Sequence, residues 1–443
     1  LYPRIECENL LGEAIGGSRT KNHGRLDAGE SKMKTFKYLV IGASALVLTA
    51  CGNSDTSRDL SDANADYQAV LLEQLIDAQP GDVIEIPAGV YSFDRSLSLN
   101  IDGVTIRGAG MDETILSFQD QIAGAEGLIV TANDFTLENL AIEDTIGDGL
   151  KVNGGENIII RGVRVEWTNG YATENGAYGI YPVQTTNVLV EDTVAIGASD
   201  AGIYVGQSRN VIVRNSRAEY NVAGIEIENC IGADVYGNIA TNNTGGILVF
   251  NMPNLPQPGY HTRVYDNDIF ANNTENFGHA GTPVASVPAG SGVVINSNDQ
   301  VEIFNNRISD NNTANIIISS LHSTGYSDYS VQTDFDPYPE SIWIHDNTYS
   351  GGGTSPDGLD LTALKIAMFG LNGALPDVLF DGFVDDAKLV DGALPDALRI
   401  CVSDPVDVLN ADGPNGYASP SVDTEDFRCS LDSLSAVELA FAD

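Results

Sequence analysis

Basic side chains are scarce in this 443-residue chain, where 22 Lys and Arg stand against 62 Asp and Glu for a formal net charge of −40. Such a surface repels phosphate, which excludes nucleic acid as a partner. Polyuronates meet the same repulsion unless a cation bridges the two anions. Histidine and cysteine are few, five of each, and no Cys-x-x-Cys-His, His-Glu-x-x-His or dedicated calcium loop occurs. The haem, zinc and EF-hand chemistry served by those spacings is therefore not expected, and no cofactor is predicted. Long apolar runs are also missing: Leu39 to Leu48 stands out but is too short to cross a bilayer.

What the chain does have is a repeat. Glycine, aliphatic, any residue, aliphatic recurs at Gly127, Gly149, Gly179, Gly202, Gly224, Gly246 and Gly292, with the variant Asn315-Ile316-Ile317-Ile318. Successive starts lie 22, 30, 23, 22, 22, 46 and 23 residues apart. A step this short, built of alternating residues, predicts stacked coils of strand. A second strand in each repeat gives an aliphatic interior column: Leu137, Ile160, Val190, Val213, Val235, Val264, Ile303 and Ile344. Three places on, Leu140, Val163, Thr193 and Ser216 give way to Asn238, Asn267, Asn306 and Asn347, whose amides can bond to the coils above and below.

On these columns the chain resembles the right-handed parallel β-helix family, the pectate-lyase-like architecture known for asparagine ladders. The resemblance spans about Tyr67 to Gly353. It implies an all-β solenoid of about ten coils, with an N-terminal capping helix and an irregular C-terminal tail. For function it implies less, since such folds host lyases, hydrolases, epimerases and phage spikes.

The chain divides into five expected parts. Lys34 and Lys37, the apolar run and Leu48-Thr49-Ala50-Cys51 make residues 33–50 a lipoprotein signal, with lipid attachment at Cys51. Gly52 replaces the aspartate of inner-membrane retention, so the resemblance to sorted bacterial lipoproteins implies an outer-membrane location in the cell envelope. A signal works from the N-terminus, so residues 1–32, which include Cys7, read as non-native upstream sequence. Seven of the basic and five of the acidic residues precede Cys51, leaving 15 against 57 after it, a net charge near −42. Residues 51–66 are small and polar, a tether. Residues 67–353 are the β-helix domain, opened by a helix with the stripe Tyr67, Val70, Leu71, Leu72, Leu75 and Ile76 that caps the first coil. Residues 354–443 form an acidic tail, or cap, lacking the coil repeat. Cys401 and Cys429 in this tail are an expected disulfide of an exported protein, and Cys230 reads as a buried thiol.

Function must be written on outward positions. The second strand presents Glu138, Arg161, Glu191 and Arg214, an ion-pair ladder, and then Tyr236, Tyr265, Phe304 and His345, rings placed to stack. The first strand presents Lys151, Tyr181, Tyr204 and Glu226 on successive coils, a face of roughly 14 Å at about 4.8 Å per coil that suits about three sugar units. These four are the expected substrate-binding residues. Insertions flank that face: Trp167 to Tyr178, with Tyr171 and Glu174, and Asn272 to Ser291, with His279, on one side; Phe250 to His261 and Ser319 to Ser341, with Tyr326, Asp328 and Tyr329, on the other.

Asp336-Pro337-Tyr338-Pro339-Glu340 resembles the Asp-Pro-His-Glu signature of mannuronan epimerases, with tyrosine and an extra proline where the histidine stands. His322, Asp336 and Glu340 are the catalytic candidates this suggests, and Asp334, Asp336 and Glu340 are candidate ligands for a divalent cation such as calcium. The chain also resembles exported β-helix repeat lipoproteins whose genes often adjoin one for a cytochrome-like exported protein. The expected function is therefore carbohydrate binding, with processing left open, on an exposed sheet face. The alternatives are a non-catalytic solenoid docking another envelope protein, and a polysaccharide lyase or epimerase.

Overall fold

Short runs of alternating side chains, each ended by a turn residue, can satisfy their backbone only by pairing with the equivalent run one repeat away. The computed structural model, which describes residues 67–324, 334–422, 424–439 and 441, shows this pairing throughout. The strands form two sheets. One, of 12 strands, takes the first strand of each coil; the other, of 19, takes the second strand and a short third. In one coil these are Ala223–Glu228, Ile231–Tyr236 and Ile239–Thr241. All pairings are parallel except the last strand of the first sheet, and the solenoid is right-handed, as crossovers between parallel strands are.

The core is inside the coils. On the first sheet Ile180, Ile203, Ile225, Ile247, Val293, Ile316, Val378 and Val408 are register partners in turn. On the second sheet the column Leu137 to Ile344 is fully buried and continues to Val402. Each such side chain contributes about 1.5–3 kcal/mol relative to exposure.

Two asparagine ladders line the bends. In the first, Asn238, Asn267 and Asn306 each donate to the next rung at 2.9–3.0 Å and to a backbone carbonyl one coil back. Asn347 ends the run on the carboxylate of Asp404 at 2.9 Å. The second ladder runs Asn221, Asn243, Asn272, Asn311 and Asn315, at 3.0–3.1 Å per step, and closes on Asp377. It explains the glycine of the repeat. A Cβ at Gly224 would lie 2.6 Å from Gly246 O and 2.7 Å from Asn243 Nδ2, so only hydrogen fits. It also explains the variant, because Asn315 takes the glycine position and supplies a rung itself.

The capping helix α1 is Tyr67–Asp77, with Leu71 and Leu75 buried on the first coil and Tyr67 stacked on Tyr91 at 4.2 Å. Val70 and Ile76 face solvent instead, Ile76 at 75 % exposure, so the buried stripe is narrower than expected. The larger correction concerns the C-terminal boundary. Parallel pairing passes residue 353 through Val378–Phe380, Ile400–Val402 and Val408–Asn410. Helix α2, Leu359–Phe369, and long connections separate these three-residue strands and hide the repeat. Gly373-Ala374-Leu375-Pro376-Asp377 leads into Val378–Phe380, and the same five residues at Gly392-Ala393-Leu394-Pro395-Asp396 lead toward Ile400–Val402. The Cys401 and Cys429 sulfurs are bonded, and Cys230 is a buried free thiol. Beyond Cys429 the chain runs back over the second sheet: Leu434 N–H donates to Glu302, Val437 N–H donates to Asp234, and the Ser435 carbonyl lies 2.9 Å from His261 Nε2. The expected upstream segment, signal, tether and Cys51 lie outside the described residues, as do Tyr326, Asp328 and Tyr329. No helix among the described residues is long and apolar enough to cross a membrane.

Candidate functional site

The outward column of the first sheet runs Lys151, Tyr181, Tyr204, Glu226, Leu248, Val294, Ile317, Leu379 and Leu409, one residue per coil. It was expected to be exposed, and that is corrected: Tyr204 is 4 % exposed and Glu226 1 %. The insertions do not merely flank the face. Phe250, Met252, Val284, Val287 and Leu321 fold down onto it with Tyr204, Leu248 and Val294 as a second apolar cluster outside the coils. Within one of these flanks Tyr171 meets Phe277 at 5.0 Å. Trp167 is buried and donates its indole N–H to Thr145 O at 2.8 Å, which makes it packing for the coil. Lys151 and Tyr181 remain half-buried at the open end.

Three tyrosines pack together there. Tyr178 lies 4.5 Å from Tyr181 and 4.6 Å from Tyr204, and Tyr181 meets Tyr204 edge-on at 5.0 Å. Gly206 makes room, since a Cβ on it would fall 2.3 Å from the Tyr204 ring. The Lys151 ammonium sits 4.8 Å over the Tyr181 ring and 3.6 Å from Asp148.

Behind the rings are three buried carboxyls, Asp200, Glu226 and Glu228. Glu226 and Glu228 alternate along one strand, so both point outward, roughly 7 Å apart at the backbone. The Tyr204 hydroxyl donates to Glu228 Oε1 at 2.8 Å, and Gln207 Nε2 donates to the same oxygen at 3.2 Å. Burial pushes Glu228 up to about 7, against the pull of that tyrosine bond. Burial, then the charges of Glu228 and Asp148, push Asp200 up to about 8. Burial, with Asp200 and Glu228 adding to it, holds Glu226 well above the carboxylate range. Glu226 Oε2 is buried with no hydrogen-bond partner among the described residues. Near neutrality such a group of carboxyls holds both protonated and ionised members, the requirement for general acid and base in one place.

Of the expected binding residues, then, the structure gathers Lys151, Tyr181, Tyr204 and Glu226, and it adds Asp200, Glu228, Tyr178 and Asp148. Glu228 carried a readable signal, the same strand alternation that exposed Glu226. Asp200 carried none, because it stands at a turn.

The catalytic and metal candidates assemble differently. His322 is exposed and its ring lies 5.2 Å from both Tyr338 and Phe383. Asp336 and Glu340 bind Lys388 Nζ at 2.5 and 2.8 Å. A cation therefore already sits between them, and it is the chain's own ammonium. Asp334 is exposed, and Asp299 takes its place in the group, with ligand atoms of Asp299, Asp336 and Glu340 within 4.8 Å of one another. Glu340 Oε1 is buried without a partner among the described residues, so the donor set retains an open oxygen for a hard cation. Burial, then Asp336 and Glu340, push Asp299 up to about 7. The Asp-Pro-Tyr-Pro-Glu string is a pinned junction, with the Pro337 carbonyl accepting from Ser297 and Leu321.

The outward ladders of the second sheet are structural. Glu191 pairs with Arg161 and Arg214. Tyr236, Tyr265, Phe304 and His345 stack on one another at 4.8, 4.8 and 5.3 Å, which turns ring edges, not faces, to solvent.

Residues 88–269 match the family described as the right handed beta helix region. Among solved structures, the chain is similar to the A-module of the Azotobacter vinelandii mannuronan C-5 epimerase AlgE6, with 18% identity, 72% of this chain and 87% of that one covered, and a TM-score of 0.46. It is also similar to an alginate lyase from Paenibacillus (14%, 64% and 93%, TM-score 0.39) and to the DFA-IIIase of Arthrobacter chlorophenolicus (12%, 71% and 87%, TM-score 0.42). No curated protein matches the sequence.

Proposed function

We propose that this right-handed parallel β-helix protein binds a glycan at the open end of its first sheet and hydrolyses it with the carboxyls behind Tyr204. The observation that carries the reading is the cluster of buried carboxyls Asp200, Glu226 and Glu228, all raised above the ordinary carboxylate range by burial, beside half-buried Tyr181 and Lys151. Tyrosine faces suit sugar rings, and the Lys151 ammonium supplies a donor for hydroxyls.

In this reading Glu226, which burial holds well above the carboxylate range, gives its proton to the departing glycosidic oxygen. Glu228, favoured as carboxylate by Tyr204, takes a proton from the attacking water, so one water is consumed per bond broken. The net charge favours a neutral glycan; a uronate polymer would need a bridging divalent cation. We also place the protein on the outer membrane through a lipid on Cys51, which mass spectrometry of the exported N-terminus tests.

A glycan array run with and without calcium is the deciding experiment. Binding to the wild type, weakened at least tenfold by Tyr181→Ala and Lys151→Ala, and turnover abolished by Glu226→Gln and Glu228→Gln with binding kept, supports the reading. No ligand on the array, with an envelope protein co-purifying instead, replaces it with the docking solenoid.

A further inference from the structure

The outward column of the first sheet changes character along the coils. It is polar and aromatic from Lys151 to Glu226, and wholly apolar from Leu248 through Val294, Ile317 and Leu379 to Leu409. Over the apolar part lies a cavity of about 220 Å³, lined mainly by apolar side chains such as Phe250, Val294, Ile317 and Leu364, with Asn296 and Asp381 among its polar lining. An apolar cavity of about 150 Å³ already stays dry and takes up benzene, so this one has room for a medium-length alkyl chain.

The cavity is continuous with the carboxyl site. Phe250, which lines it, is the register partner of Glu228, one strand spacing away. Its other wall is helix α2, which turns Leu361 and Leu364 inward yet leaves Leu359, its first residue, and Leu371, in the turn that follows it, 87 % and 77 % exposed. Large apolar side chains on both sides of a covering helix suit a ligand that arrives from an apolar phase.

We propose that this cavity binds the alkyl or acyl chain of an amphipathic glycoside whose sugar lies toward Glu226 and Glu228. The sugar half rests on the glycan reading above; the chain half rests on the cavity alone. The ligand class is thereby narrowed from glycans in general to sugars carrying an apolar substituent.

The test uses the full chain and a series of β-glucosides from methyl to octyl, below micelle-forming concentrations, with 1-octanol as a headless probe. Binding should tighten about fourfold per added carbon, the equivalent of about 0.8 kcal/mol per buried methylene, until the cavity is full. Ile317→Trp and Leu364→Trp fill the cavity from the sheet and from the helix, and circular dichroism of each selects the folded variants that are compared. Each should abolish the chain-length dependence and octanol binding, while Glu226→Gln leaves octanol binding unchanged. Affinity independent of chain length, or octanol binding that survives both tryptophans, overturns the proposal. Octanol bound and blocked by tryptophan, with no glucoside and no array glycan bound, upholds the chain site and overturns the glycan reading.

Discussion

The Tyr204 hydroxyl and the Glu228 carboxylate lie 2.8 Å apart across adjacent coils, and Gln207 donates to both. The bond favours the ionised acid and opposes burial, which pushes Glu228 up to about 7. Tyr204→Phe removes it, so the Glu228 pKa should rise further. In a pH profile of turnover this moves the acid limb from about 7 to higher pH, while Gln207→Ala moves it less.

Stability should fall as pH rises. Asp200, Glu228 and Asp299 are held at about 8, 7 and 7 in the folded chain, above their unfolded values. Between the unfolded and folded pKa values the native state keeps protons that the unfolded state has lost, so unfolding free energy decreases with pH. The contribution is full below about pH 4 and gone above about pH 8. Thermal unfolding from pH 5 to 8 should show it, with a flatter dependence in Glu228→Gln and in Asp200→Asn.

The ladders make two further substitutions costly. Asn267→Ala strands the Asn238 amide N–H groups and the Val235 carbonyl, at about 1–3 kcal/mol for each unsatisfied buried group. Gly224→Ala drives a Cβ into Gly246 O and the Asn243 amide, an overpacking cost of about 1–3 kcal/mol or more. Urea midpoints should drop in both, and Asn347→Asp, next to Asp404, should also destabilise by placing two carboxyls on one rung.

Lys388 is the cation of the Asp299, Asp336 and Glu340 group. Lys388→Met should destabilise the fold by about 1–3 kcal/mol, because buried Glu340 loses its partner. Millimolar calcium should then raise the melting temperature of this variant by more than that of the wild type. Equal calcium response in both would show that the three carboxylates do not act as one ligand set.

Cys401 and Cys429 close a loop with a sequence separation of 28. Cys401→Ser with Cys429→Ser should cost about 3–4 kcal/mol on loop-closure entropy. Hydrogen exchange should rise first at residues 434–437, whose attachments to the second sheet follow Cys429 directly.

The solenoid was legible because Val213, Val235 and Val264 repeat in step with Asn238 and Asn267, and periodicity survives any tertiary context. The second ladder was not, since the insertion between Asn272 and Gly292 breaks the spacing that Asn221 and Asn243 keep with Gly224 and Gly246. The last coils failed for a similar reason: Val378–Phe380 and Val408–Asn410 are too short to alternate visibly. At the site, Lys151, Tyr181, Tyr204 and Glu226 could be placed on one face from spacing. That Phe250, Met252 and Val287 would close over part of it depends on how loops fold, which residue order along a strand does not encode.

The segment after Cys429 travels against the direction of winding and fastens to Glu302, His261 and Asp234, on three successive coils. Those anchoring points exist only after the coils bearing them have formed, so this segment can attach only late, as a clasp. A solenoid can lose coils one at a time from its end; here a strap that leaves the later coils at Cys429 is bound to three earlier ones, which ties them into one unit. The strap thus turns a fraying end into a cooperative one.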